Sequence, residues 1–137
     1  MERALINPSR YLIVVVSVSA YASSLLMPAF LCRSNSMLGF QVLLMGWIAV
    51  IGLQPAWFAN ILYFIMTYRL VRGTNTRNLL LPGAASFLAI AGLAGGPGCG
   101  PDIANISLGL SAGGYLWIGA ILVVSAYYAA KRPAPAC

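Results

Sequence analysis

The chain has 137 residues, a net charge of +6, 61% hydrophobic residues and only 7% charged ones. A soluble domain carries roughly a quarter charged residues to face water, so this composition excludes a soluble globular fold and points to an integral membrane protein with a mean hydropathy of +0.87. There is no histidine, and the only acids, Glu2 and Asp102, lie in different polar segments; this excludes His-based metal or haem sites and a two-carboxylate mechanism.

The first expected element covers residues 11–31, a run of 21 apolar or small residues behind Arg3 and Arg10. As a helix it is about 31 Å long, enough to span a bilayer. A cleaved signal peptide with Ala20-Tyr21-Ala22 as its cleavage site is the rival reading. The apolar run continues nine residues past that site, which favours a retained helix. Bulky Phe30-Leu31 before Cys32 disfavours a lipoprotein.

After the polar break at 32–36 comes a 34-residue stretch, 38–71, that carries no charge until Arg69. One straight helix of that length would measure about 51 Å and need a tilt beyond about 50°, outside the usual range. Two full crossings would leave 17 residues on each side of the Gln54–Pro55 junction, the lower limit for a span.

Positive charge chooses between these. With one net crossing, Arg3, Arg10, Arg69, Arg72, Arg77, Lys131 and Arg132 fall on the cytoplasmic side and Arg33 outside, a ratio of seven to one. Two crossings with the N-terminus outside give six to two. Two crossings with the N-terminus inside would export Arg69, Arg72, Arg77, Lys131 and Arg132, which the positive-inside rule forbids.

Two further spans follow, about 78–95 and 106–130, separated by the Gly- and Pro-rich break at 95–102. The expected fold is therefore all-α: a single polytopic membrane domain over 1–137, with spans at about 11–31, 56–71, 78–95 and 106–130. A short re-entrant or interfacial helix covers 38–53, and both termini are cytoplasmic. Five transmembrane helices are the alternative.

Few residues offer chemistry. Gln54, Pro55 and Asn60 form the main polar break at depth. The two polar side chains either line a small cavity or partner contact, or satisfy backbone groups freed at Pro55. Cys32 and Cys99 share the outer side in this topology, as a disulfide pair or as two free thiols. Arg69, Arg72, Arg77, Lys131 and Arg132 set the topology. No Asp, Glu, Lys or His lies at 11–68, which weighs against proton- or ion-coupled transport. The pairs Ala91/Gly95, Gly92/Gly96 and Gly109/Gly113 have small-xxx-small spacing, which lets helices pack closely. Tyr115, Trp117, Tyr127 and Tyr128 read as interfacial anchors.

The run Ser24-Leu25-Leu26-Met27-Pro28-Ala29-Phe30, then Gly39 to Trp47, then Ala56-Trp57-Phe58-Ala59-Asn60, and finally Gly114-Tyr115-Leu116-Trp117 resembles a group of small uncharacterised bacterial inner-membrane proteins. That group shares SLxxPAF, GxxxLLxGW, AWxAN and GYxLW motifs. The resemblance implies a bacterial cytoplasmic membrane and brings no activity with it. One departure is Ile61 after Asn60, where the group often has proline.

The expected function is non-enzymatic, without cofactor, metal or nucleic acid. The chain would act in the lipid bilayer through contact with a membrane-protein partner, as an accessory subunit or as an immunity protein against a membrane-directed toxin. Self-association is a further form of the same contact, and a small channel or uncoupled transporter is the alternative.

Overall fold

A computed structural model describes residues 8–32, 36–49, 55–73, 80–94 and 107–130. The described residues are mostly helical: α1 (Pro8–Leu26), α2 (Gly39–Ala49), α3 (Phe58–Arg72), α4 (Leu80–Ala94) and α5 (Ala112–Ala130), with a 3-10 turn at Pro55–Trp57 leading into α3. Two of them, α1 and α5, are long and apolar enough to cross a membrane. Three short strands, β1 (Pro28–Cys32), β2 (Ser36–Leu38) and β3 (Ser107–Leu110), form an antiparallel sheet with β1 in the centre.

The sheet corrects two expected boundaries. The helix expected over 11–31 ends at Leu26, because Pro28 has no N–H to donate and its ring pushes Met27 out of the helical region. After a bend at Met27 the chain continues as β1. Likewise the helix expected from 106 starts only at Ala112, since residues 107–110 pair with β1, Phe30 facing Leu110 and Leu31 facing Gly109. Gly109 has φ +140°, a region open to glycine and costly for other residues. The Gly109/Gly113 spacing is therefore split between a strand and a helix and forms no helix-packing face.

Side-chain bonds give the helix directions. Tyr21 of α1 meets Asn60 of α3, and Ser17 meets Tyr63. As numbers fall on α1 they rise on α3, so these two helices are antiparallel. Trp117 of α5 also meets Asn60, and Tyr128 meets the Met66 carbonyl, so α5 runs parallel to α3. From the Tyr21–Asn60 level to the far end, where Arg10 approaches Gly73, α3 covers the same depth as α1. Helix α4 packs against α3, α5 and the 3-10 turn. Pro82 falls in its first turn, where its missing N–H leaves no helical bond unmade.

Helix α2 does not follow the bundle across. Its Gly39 N–H donates to the Met27 carbonyl at 3.0 Å. Four residues on, the Leu43 carbonyl accepts from Trp57 Nε1 at 3.1 Å. The start of α2 and the start of α3 are thus held at the same end of the bundle, the end that carries the sheet. Gln41 caps α2, its side-chain oxygen accepting from the Leu38 N–H at 3.0 Å.

The core is built on small contacts. Tyr63, Met66, Ile121 and Val124 are fully buried, with Ala59, Ala85, Ala89 and Ala120 where helices meet. Bulky apolar side chains lie outside instead: Leu12 is 62% exposed, Phe64 52% and Phe87 71%. Exposed apolar surface on that scale is stable only where something apolar covers it.

Candidate functional site

At the sheet end, residues scattered along the sequence converge. The Met27 carbonyl accepts from Gly39, and the Ala29 carbonyl accepts from the Ser111 N–H at 2.9 Å. A Cβ on Gly39 would overlap the Ser24 carbonyl, and one on Gly113 would stand 2.6 Å from the Pro28 carbonyl oxygen. These glycines let α2 and α5 press backbone to backbone on the α1–β1 junction. Trp57 and Trp117 reach into the same region, the first to α2 and the second to Asn60.

Below this junction lies a buried polar hub. Asn60 Oδ1 accepts from the Tyr21 hydroxyl at 2.9 Å and from Trp117 Nε1 at 2.7 Å. Ser17, fully buried, gives its single hydroxyl proton to the Ala120 carbonyl at 2.9 Å. The 2.9 Å contact between Ser17 and Tyr63 therefore takes its proton from Tyr63. Tyr21 and Tyr63 stack with ring centroids 4.7 Å apart and planes 8° from parallel, and Phe64 meets Tyr21 edge-on at 5.4 Å. Ser24 donates back to the Tyr21 carbonyl at 2.6 Å. The hub ties α1, α3 and α5 together, and its named donors are all satisfied by internal acceptors.

The polar break is placed in part by this hub. Asn60 is 7% exposed, and its Oδ1 bonds across to two other helices. Pro55 opens the 3-10 turn, and Gln54 lies outside the described residues. Trp117 and Tyr128 are not simply surface anchors, since each hydrogen-bonds inward. Tyr115 is 61% exposed. Cys32 ends β1, opposite Ser107; Cys99 lies outside the described residues, as do Arg77, Lys131 and Arg132. Arg69 and Arg72 occupy the last turn of α3, at the end far from the sheet.

Tyr21 and Tyr63 were not singled out by the sequence reading. The available signal was periodicity: Ser17, Tyr21 and Ser24 recur at helical spacing on α1, as Asn60, Tyr63 and Thr67 do on α3.

A second feature lies on the outside. Between α1 and α5 an open apolar groove of about 360 Å³ is lined by Val16, Ala20, Ala112, Gly119, Ala120 and Val123. A Cβ on Gly119 would meet nothing within 4 Å. Among the described residues, no group of three or more His, Cys, Asp or Glu side chains stands together. No family model, no curated protein and no solved structure matches this chain.

Proposed function

We propose that this is a non-enzymatic, multi-pass protein of the bacterial inner membrane that works by contact with another membrane protein. In this reading four helices, α1, α3, α4 and α5, span the bilayer, and α2 is half-inserted from the sheet side. Arg10, Arg69 and Arg72 share the end away from the sheet, which supports a cytoplasmic position for that end and for both termini. The matching depth of α1 and α3 supports α3 as a span although it has only 15 residues.

The observation that carries the contact reading is the α1–α5 groove. Its floor is made of small residues, Ala20, Gly119 and Ala120, which permit the close backbone approach on which helix association in lipid depends. Beside it α1 leaves Ser19, Ala22 and Ser23 exposed, small and polar groups suited to a neighbouring helix. The partner is then a complex that this chain serves as an accessory subunit, or a membrane-directed toxin that it neutralises. A conducting role draws no support from Asn60, whose oxygen is occupied by Tyr21 and Trp117.

The test is Gly119→Leu, which adds bulk to the groove at a position where a Cβ meets no atom within 4 Å. Purified in mild detergent, the native chain is expected to bring a partner with it and the variant to lose that partner while keeping its thermal stability. A native chain that is always monomeric and partnerless overturns the reading. Protection of cells expressing a neighbouring toxin gene, lost in the same variant, singles out the immunity role.

A further inference from the structure

The outward side of α5 carries a regular pattern that the bundle itself does not use. Ala112, Leu116, Gly119, Val123 and Ala126 all reach the surface, Leu116 at 36% and Val123 at 40% exposure. The opposite side of the helix is spent on the core, through Ile118, Ile121 and Val124. Along the outward side the spacing alternates four and three residues, which is the seam of a left-handed helix pair. Small and bulky residues alternate in it: Ala112, Gly119 and Ala126 fall seven apart, and Leu116 and Val123 fall seven apart between them. The seam is also one wall of the groove, whose other wall is Val16 and Ala20 of α1. A Cβ on Gly119 would meet nothing within 4 Å, so no atom of this chain fills the middle of the seam.

Symmetry says which helix fits such a seam. Copies of one chain enter a bilayer in the same orientation, so a twofold axis relating two of them runs along the membrane normal. That axis sets α5 against its own copy, parallel and in register. Leu116 and Val123 then meet their equivalents in alternate layers, and the Ala112, Gly119 and Ala126 layers let the two backbones close, which is what holds helices together in lipid. A foreign helix has to match this spacing with a different sequence, whereas a second copy has it by construction. The extent is sufficient as well. Helices α1 and α5 each run 19 residues, about 28 Å, and packed side by side they lie about 9 Å apart. They offer a face of about 28 Å by 18 Å, so two copies cover about 1,000 Å² in all, the size at which a specific interface begins.

We propose that a second copy of this chain seats on the α1–α5 face, α5 packing on α5 about a twofold axis beside Gly119, to form a parallel homodimer in the membrane. Each α5 then lies in the groove of the other copy. The proposal rests on the groove being a helix-contact surface, as in the function proposed above, and names its occupant. A further membrane protein that binds the same groove competes with the second copy.

The experiment uses the full chain in its membrane, with Cys32, Cys99 and Cys137 changed to serine. L116C and V123C are oxidised separately with copper phenanthroline, and a non-reducing gel is read for a species of twice the mass. Both are expected to cross-link. F87C, on α4 and 71% exposed but no part of the groove, is expected to stay monomeric. Cross-linking of L116C and V123C no faster than that of F87C overturns the dimer at this face. Sedimentation of the purified native chain in mild detergent should give two copies, and G119L should weaken their association about tenfold or more at an unchanged thermal midpoint. A dimer as strong in G119L as in the native chain also overturns the site. If G119L does not fold, the two seam cysteines against F87C decide. A native complex of one copy with a different protein overturns the second copy and leaves the contact reading standing. A chain that is monomeric and partnerless overturns both, so the two failures are distinct.

Discussion

The Tyr21 hydroxyl and the Asn60 carboxamide oxygen stand 2.9 Å apart although 39 positions separate them in sequence. The same oxygen accepts from Trp117, 57 positions further on. One acceptor therefore holds three helices in register, and the loss of its oxygen leaves the buried Tyr21 and half-buried Trp117 donors without that partner.

Asn60→Leu preserves the volume of the side chain and removes that acceptor. It is expected to lower stability by about 1–2 kcal/mol, between the cost of a buried unpaired donor and the smaller values found for bonds between helices in membranes. Thermal unfolding in detergent measures this. Tyr21→Phe should cost less, and the double variant less than the sum of the two, because each change removes the same bond. Strict additivity would show that the bond contributes nothing.

Glycines at the sheet end and on the outer surface should respond oppositely to the same substitution. Gly39→Ala and Gly113→Ala press a methyl against the Ser24 and Pro28 carbonyls, and should destabilise by about 1–3 kcal/mol, as overpacking does. Gly83 meets nothing within 4 Å, so Gly83→Ala should be neutral or stabilising by about 0.5–1 kcal/mol through helix propensity. Melting curves of the three variants test the packing directly, and similar behaviour in all three would refute it.

Gly73→Ala places a side chain at φ +75° and beside Arg10. A cost of about 1–2 kcal/mol is expected from the left-handed backbone alone. Gly73→Asn should cost less, since asparagine tolerates that region best after glycine. The order Gly, Asn, Ala in thermal stability is the readout, and Ala equal to Gly would contradict the cap.

The proposed arrangement in the membrane predicts sidedness. In a background with Cys32, Cys99 and Cys137 changed to serine, Ser36→Cys on β2 should react in intact cells with a thiol reagent that cannot cross membranes. Arg72→Cys, at the other end of the bundle, should react only after the membrane is opened. Labelling of both from the same side would exclude four crossings.

Much of this protein was legible in one dimension. Apolar composition and the dearth of charge announce apolar helices, two of them long enough to cross a membrane, and among the described residues Arg10, Arg69 and Arg72 stand at one end of the bundle. The Gln54–Pro55 junction divides residues 38–71, and a short helix and a longer one do lie on its two sides. Each of these is a local property, carried by hydropathy, charge or a missing N–H within a few residues. The strands were not legible, because a five-residue apolar segment such as Pro28–Cys32 has the same hydropathy whether it ends a helix or begins a sheet. Only its pairing with Ser36–Leu38 and Ser107–Leu110 decides, and pairing with a segment so far along the chain leaves no local trace. The polar hub obeys the same logic: helical spacing aligns Ser17, Tyr21 and Ser24 on one face of α1, but only the packing of α3 and α5 against that face turns them inward and gives Ser17 and Tyr21 their acceptors, while Ser24 bonds back within α1. Sequence alone determined that the chain is helical, apolar and charged at particular breaks; tertiary contact decided which helices stop early, which glycines cannot grow a side chain, and that Asn60 binds the bundle together.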